Sequence, residues 1–321
     1  MNLPTDSDEW LQSKAITVIE PLIPHDAQER VQRAYRQFNQ SVRDYIRTET
    51  ALRLADDSGA IALPVKIVDG FPTGLANVIH HNDDPALWRL ILAQPKLGAI
   101  IDGLNFLLEG WDAFKSWKHL PATARDAGPA LTRTRDVAVE LQKLVISQDV
   151  REQIRTINED ILGAYFSSAN NSSRIELYWM AIALVAAMQG VQIEDLTVVV
   201  LAHELTHGYT HIGRDIDGHQ WGFRAFRSTG LEVKEGLAQF YTEVVAAKLQ
   251  SKHPGIYHAY QRLLQLQEGP YLAHTRWLPD EATQRGEAVR FTMIAYRRSG
   301  DLLRDDWQEM LQKTSQTLGR R

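Results

Sequence analysis

Residues 195–211 read DLTVVVLAHELTHGYTH, and this stretch decides the fold of the central part of the chain. Its apolar residues recur at the three- and four-residue steps of an α-helix. The apolar stripe runs directly into His203 and His207, which therefore point towards the protein interior. We expect a buried helix from Leu196 to Tyr209 that presents two histidines one turn apart.

His203, Glu204 and His207 form the pattern HExxH. Side chains four residues apart lie on one face of a helix. Two imidazoles at this spacing can bind one zinc ion at ~2.0–2.1 Å each. Glu204 lies beside the histidine stripe and can reach a water on the metal without being a ligand itself. The pattern predicts one Zn²⁺ bound by His203 and His207, with Glu204 as the catalytic base.

A catalytic zinc site has three protein ligands and one open position. His211 continues the helical series, but it lies eight residues after His203, which is ~12 Å along a helix axis. The two residues cannot bind one ion. The metzincin pattern requires Gly and His where this chain has Thr210 and Gly213, so that pattern is excluded.

Glu235 is the best remaining candidate for the third ligand. It lies in a second amphipathic helical segment, Leu231 to Leu249, in which Gly236 and Ala238 would allow close approach of a neighbouring helix. A carboxylate from a second helix completes the His₂Glu set of catalytic zinc sites. Glu232, one turn earlier, is the main rival ligand. The alternative is that these glutamates form a solvated helix face.

The HExxH pattern followed by Glu235-Gly236-Leu237-Ala238 resembles the gluzincin zinc metallopeptidases. The resemblance covers roughly residues 163 to 250. It implies a small sheet beside the active-site helix, with an edge strand that pairs with an extended peptide substrate. Arg174 to Trp179 is the candidate for this strand. Many relatives carry an acidic residue four places after the third ligand, where this chain has Gln239, and Glu243 is a possible substitute.

The mechanism implied by the resemblance uses a zinc-activated water. Zinc lowers the pKa of this water, and Glu204 accepts its proton and returns it to the leaving amine. The oxyanion then needs a second donor besides zinc. By resemblance, this donor is a Tyr or His downstream of the third ligand. Tyr271 and His274 are the first choices, followed by Tyr296.

The composition narrows the function further. The chain has 321 residues and a net charge of −5, which predicts no general attraction to nucleic acid or to anionic membranes. It has no cysteine, so thiolate metal sites and cysteine nucleophiles are excluded. The N-terminus lacks the pattern of a secretory signal. The longest apolar stretch, Leu177 to Met188, is shorter than the ~20 residues of a membrane span. We expect a cytoplasmic protein.

The periodicity predicts an α+β protein that is predominantly helical. Residues 1–150 form a helical N-terminal region, which is either a separate unit or one wall of the same domain. Residues 151–321 form the gluzincin-like catalytic region. Within the first region, Pro85–Leu92 and Gly98–Trp117 have separate helical patterns, and residues 120–129 resemble a linker.

The function expected from these features is a zinc peptidase that cleaves peptide or protein substrates. A regulatory protein that binds a peptide or partner without turnover is the alternative, and a zinc hydrolase of non-peptide amides is a third option. The oligomeric state stays open.

Overall fold

The structure is a computed structural model that describes residues 6–56, 59–115, 126–147, 150–157, 161–167, 172–278, 284–299 and 304–319. Its helices are α1 (Asp6–Ile19), α2 (Ala27–Thr50), α3 (Thr73–His81), α4 (Pro85–Phe114), α5 (Ala127–Ser147), α6 (Val150–Arg155), α7 (Trp179–Gln189), α8 (Ile193–Ile212), α9 (Phe223–Ser228), α10 (Leu231–Leu249), α11 (Pro254–Leu264), α12 (Arg285–Arg298) and α13 (Arg304–Leu318). Short 3₁₀ helices span Glu20–Leu22 and Gly269–Arg276. The strands are β1 (Ala55–Asp56), β2 (Gly59–Ala60), β3 (Val65–Val68), β4 (Gly163–Phe166) and β5 (Arg174–Tyr178). This architecture confirms the predominantly helical α+β class.

Helix α8 lies at the centre of the hydrophobic core. Helices α2, α7, α10 and α11 and strand β4 pack against it, so all of its residues from Leu196 onward are buried. Glu194 and Asp195 in its first turn interact favourably with the helix dipole. The helix ends at Gly213, where a Cβ atom would collide with the carbonyl oxygen of Tyr209. The helix predicted from Leu196 to Tyr209 is confirmed and is three residues longer at each end.

Helix α10 packs against α8 and against the 3₁₀ helix Gly269–Arg276. Gly236 lies directly against the indole of Trp277, and a Cβ atom at this position would overlap that ring. The close approach predicted from the small residues of this helix is therefore confirmed. It brings the carboxylate of Glu235 to the face of α8 that carries the histidines.

The three-stranded sheet has the order β3-β5-β4. Strand β5 pairs in parallel with β3 and antiparallel with β4. The prediction that Arg174 to Trp179 is the edge strand is therefore wrong, because β5 is the central strand and Trp179 already begins α7. Among the described residues, β3 and β4 are the two edge strands, and β4 packs against α8.

Helix α4 differs from its prediction because it is continuous from Pro85 to Phe114, with Pro95 inside it. A proline removes one helical hydrogen bond and usually ends a helix. Here the ring of Pro95 packs beside Gly190, the left-handed residue that ends α7. The helix nevertheless continues through Pro95. Of the predicted linker, residues 120–125 lie outside the described residues, whereas Ala127–Pro129 begin α5.

Two parts of the chain have the composition of membrane spans. Among the described residues, α4 is long and apolar enough to cross a bilayer, and only 6% of its most apolar window is buried. Helices α7 and α8 pass the same test as a pair bent by 120°, but they lie within the core. The exposed apolar surface of α4 is therefore the feature that needs a separate explanation.

Candidate metal centre

Three ligand atoms meet at the contact between α8 and α10. The Nε2 atoms of His203 and His207 lie 3.2 Å apart, and the Oε2 atom of Glu235 lies 3.2 Å from each of them. The three residues are 5–7% exposed. Among the described residues, they form the one group of His and acidic side chains with the geometry to hold a metal ion.

Hydrogen bonds alone cannot satisfy this triangle of atoms. Each imidazole Nε2 carries at most one proton, and that proton can point to only one neighbour. At most two of the three contacts can therefore be hydrogen bonds. A cation fits better. With an ion ~2.0–2.1 Å from each atom, the ligand–ion–ligand angles would be roughly 100°, which is near the tetrahedral value. His203, His207 and Glu235 could thus hold a metal ion.

The carboxyl group of Glu235 is ionised although it is buried. Burial acts to raise the pKa of its carboxyl group, but the charge and hydrogen bonds of His207 and His203 outweigh burial and hold this pKa well below its usual range. The carboxylate therefore stays ionised in a buried position. A buried carboxylate in contact with two imidazoles is a ligand set typical of zinc.

Glu204 lies beside the triangle and lines the same cavity as His203. Strand β4 begins directly against it. A Cβ atom on Gly163 would lie 2.9 Å from Cγ of Glu204 and 2.9 Å from Cγ1 of Val200. The absence of a side chain at position 163 allows the edge strand to approach the carboxylate. The predicted base and the edge strand are thereby adjacent.

The cavity beside the triangle has a volume of about 500 Å³. One wall is aliphatic and includes Ile154, Ile157, Val200 and Leu266. This wall was not predicted from the sequence. The spacing of Ile154, Ile157 and Ile161 was the available signal, because it gives one apolar face at three- and four-residue steps.

Two polar contacts lie along the cavity. Arg155 of α6 forms an ion pair with Glu268, which precedes the 3₁₀ helix Gly269–Arg276. Nε2 of Gln239 donates a hydrogen bond to Oε1 of Gln267 at 2.8 Å. These contacts join residues far apart in sequence, and no local sequence pattern predicts them.

Tyr271 and His274 occupy different positions relative to the cavity. The Tyr271 ring lines the cavity, and its centroid is 6.0 Å from that of His203. His274 is buried behind it and does not line the cavity. Its Nδ1 donates to the carbonyl oxygen of Tyr271 at 3.2 Å, and its Nε2 accepts from the Tyr260 hydroxyl at 3.0 Å. His274 therefore holds the backbone of the segment that carries Tyr271.

The other candidates lie outside the triangle. Glu232 borders a small crevice beside Trp277 rather than the cavity. Tyr296 is buried between Trp221 and Trp307. Glu243, the possible substitute for an acid at position 239, lies 3.9 Å from His274 instead of next to His203 or His207.

His211 has a separate set of partners. The hydroxyl group of Tyr165 donates to its Nδ1 at 2.7 Å, and the ring stacks on Phe226. Burial, with a smaller effect of Arg297, lowers the pKa of His211 to about 4. The residue is therefore a neutral imidazole near pH 7 and lies outside the triangle, as its helical spacing predicts.

Comparison of the chain with protein-family models, with curated proteins and with solved structures found no match. The function is therefore inferred from the geometry of the side chains.

Proposed function

We propose that this chain is a zinc-dependent peptidase. The observation that carries the proposal is the triangle of His203, His207 and Glu235 atoms at 3.2 Å, with Glu204 beside it on the wall of an open cavity. The spacing of the ligands and the His₂Glu donor set favour zinc among the common divalent ions.

A zinc ion at this site supplies Lewis-acid chemistry, because it lowers the pKa of water and polarises a carbonyl group. The carboxylate of Glu204 takes the proton of the attacking water as the oxygen adds to the carbonyl carbon. The same carboxyl group then donates this proton to the leaving nitrogen as the C–N bond breaks. The burial of Glu204, at 2% exposure, limits its exchange of protons with bulk water.

The edge strand supports a peptide substrate. Within the part of the chain that the structure describes, strand β4 pairs with β5 alone, and it begins at the Glu204 carboxylate. An extended peptide can pair with a free strand edge, which fixes the backbone near the reacting groups. Tyr271 is our candidate for the hydroxyl that stabilises the oxyanion, because its ring lies on the cavity wall beside His203. The aliphatic wall suits a substrate with a large apolar side chain.

A peptide-binding protein without turnover is the second candidate function. One observation favours it: Gln239, at the position of the acidic residue in many gluzincins, donates to Gln267. Position 239 therefore does not provide an acidic partner that would raise the basicity of a ligating imidazole.

The substitution Glu204→Gln distinguishes the two functions. We expect the variant to retain zinc, measured by elemental mass spectrometry, and to lose about 10²–10⁴-fold in hydrolysis of a mixed peptide pool. Glu232→Gln is the matched control, since it changes a carboxylate outside the cavity, and it should keep full activity. Full activity of Glu204→Gln would remove the proposed base. Zinc binding by the native chain without hydrolysis of any peptide would favour the binding protein.

A further inference from the structure

Helices α4 and α5 form an antiparallel hairpin that carries the exposed apolar surface of α4. Gly98 lies opposite Gln142 at one end, and Gly128 lies against the indole of Trp111 at the other. The contact seam on α4 consists of partly buried side chains at three- and four-residue steps: Leu97, Ile101, Leu104, Leu108 and Trp111. The corresponding seam on α5 consists of buried and partly buried residues at the same steps: Leu131, Arg135, Ala138, Gln142 and Val145.

A second stripe runs along each helix and is exposed to solvent. On α4 it comprises Ile100, Gly103, Leu107, Gly110 and Phe114, and on α5 it comprises Ala130, Thr134, Val137, Leu141 and Leu144. The steps alternate between three and four residues throughout. Val137 is 61% exposed and Leu107 is 53% exposed. Such a spacing is the 3.5-residue repeat of helices that pack side by side.

The two exposed stripes lie on the same side of the hairpin. Each stripe precedes the contact seam of its own helix by one residue, which is a rotation of about 100°. In an antiparallel pair these two rotations carry both stripes to the same side. We call this surface the hairpin face and define it by Ile100, Leu107 and Phe114 of α4 and Val137, Leu141 and Leu144 of α5.

We propose that the hairpin face is the interface with a second copy of this chain, which would form a four-helix bundle from two hairpins. The repeat of 3.5 residues supports a helical partner. A Cβ atom at Gly103 or Gly110 would meet no neighbouring group within 4 Å. A partner helix can therefore approach the backbone closely at these two positions.

Charge favours a second copy over a lipid bilayer. Helices that lie on membranes carry a polar face rich in Lys and Arg. The polar side of α4 instead carries the exposed acids Asp102, Glu109 and Asp112. The rim of the hairpin face on α5 carries Arg133 and Glu140, seven residues apart, and Glu140 forms an exposed ion pair with Lys143 of the same helix at 2.9 Å. In an antiparallel two-fold pair, Arg133 of one copy can lie opposite Glu140 of the other.

The size of the face predicts a weak dimer. A helix segment of 15 residues is about 20 Å long, and two helices 8–10 Å apart present a face about 20 Å wide, so each copy would bury on the order of 400 Å². The total of about 800 Å² is below the roughly 1,200 Å² at which stable interfaces start. We therefore expect dimerisation to depend on concentration.

Sedimentation of the full chain over a concentration series tests the proposal. We expect the mass to rise from 36.4 kDa towards twice that value. Val137→Asp should stay at the monomer mass. Ile146→Asp is the matched control, because Ile146 is an exposed aliphatic residue (62%) on the other side of the α5 contact seam, and it should dimerise like the native chain. Circular dichroism of both variants reports whether the fold is retained.

Results of two kinds would overturn the proposal. The first kind concerns sedimentation of the protein alone: either the native chain stays monomeric at every concentration, or the Val137→Asp variant dimerises normally. The second is a monomeric native chain that co-sediments with phosphatidylcholine–phosphatidylglycerol vesicles and loses this binding on Val137→Asp, which would identify a bilayer as the partner.

Cross-linking gives an independent measurement, because the chain has no cysteine of its own. Val137→Cys should give a covalent dimer with a short bismaleimide, and Ile146→Cys should not. Equal yields from the two variants would contradict the placement of the interface. Since the hairpin face is separate from the metal centre, this test does not depend on the proposed peptidase activity.

Discussion

Gly163→Ala is the substitution that most sharply tests the contact between the edge strand and the proposed base. Position 163 does not have a left-handed backbone, so alanine introduces no backbone strain there. The effect is steric. The new methyl group would lie 2.9 Å from Cγ of Glu204, 2.9 Å from Cγ1 of Val200 and 3.1 Å from Oε1 of Glu204.

The magnitude follows from these distances. Non-bonded carbon atoms prefer separations of about 3.5–4.0 Å, so Glu204 or strand β4 must move by roughly 0.6–1 Å. Overpacking of this kind costs about 1–3 kcal/mol of folding free energy. A misplacement of about 1 Å at a reacting group can lower the rate by about 10²-fold. The ligand atoms are not touched, and zinc content should be unchanged.

The assay is kcat/KM for a cleaved peptide, together with zinc content and the midpoint of urea unfolding. We expect a 10- to 100-fold loss of kcat/KM, where ~100-fold corresponds to ~1 Å. Gly286→Ala is the control, since a Cβ atom there meets nothing within 4 Å, and it should keep full activity. Unchanged kcat/KM and unchanged stability in Gly163→Ala would refute the close packing of β4 on Glu204.

Three further predictions follow from the site. Tyr271→Phe should lower kcat by about 10²-fold with little change in KM, whereas Tyr296→Phe, in the core, should not. At a free zinc concentration of about 100 times the Kd, bound zinc adds ~2.7 kcal/mol to the free energy of unfolding. Chelation removes this contribution, and calorimetry should record a fall in Tm of about 4 °C for a chain of this length. The pKa of His211 is about 4 in the folded chain and about 6.5 when unfolded, so its stabilising effect is complete above pH 6.5 and is lost as the pH falls towards 4. Urea unfolding should show a loss of about 2 kcal/mol between pH 7 and pH 5 that is absent in His211→Gln.

The helices of the metal centre could be predicted from the sequence because their signals are local. The apolar period of α8 identifies its buried face, and the four-residue spacing of His203 and His207 places both rings on that face. The small residues Gly236 and Ala238 indicate which helix can approach. Together these signals favour Glu235 over its rival Glu232, and the structure brings Glu235 within 3.2 Å of both imidazoles.

The order of the strands could not be predicted because it depends on pairing between distant segments. Strand β5 has alternating burial whether it is central or at an edge. Its neighbours β3 and β4 lie about 95 residues apart in the chain, and no local pattern fixes which of the three is in the middle. The same reason explains why Arg155 and Glu268 were not expected to be paired.

The sequence also did not predict which side chain of a segment faces the cavity. Tyr271 and His274 are three residues apart, and either could have faced the cavity. The burial of His274 against Tyr260 decides the matter, because it turns that ring away from the cavity. Pro95 likewise predicts a helix end by its residue type, although α4 continues through it.

The central claim is that His203, His207 and Glu235 bind one zinc ion. X-ray absorption at the zinc edge, combined with elemental analysis of natively purified protein, measures this directly. The account predicts one zinc per chain with nitrogen and oxygen ligands at about 2.0–2.1 Å and loss of that zinc on Glu235→Gln. Protein without stoichiometric zinc, or a Glu235→Gln variant that retains the full amount, would contradict it.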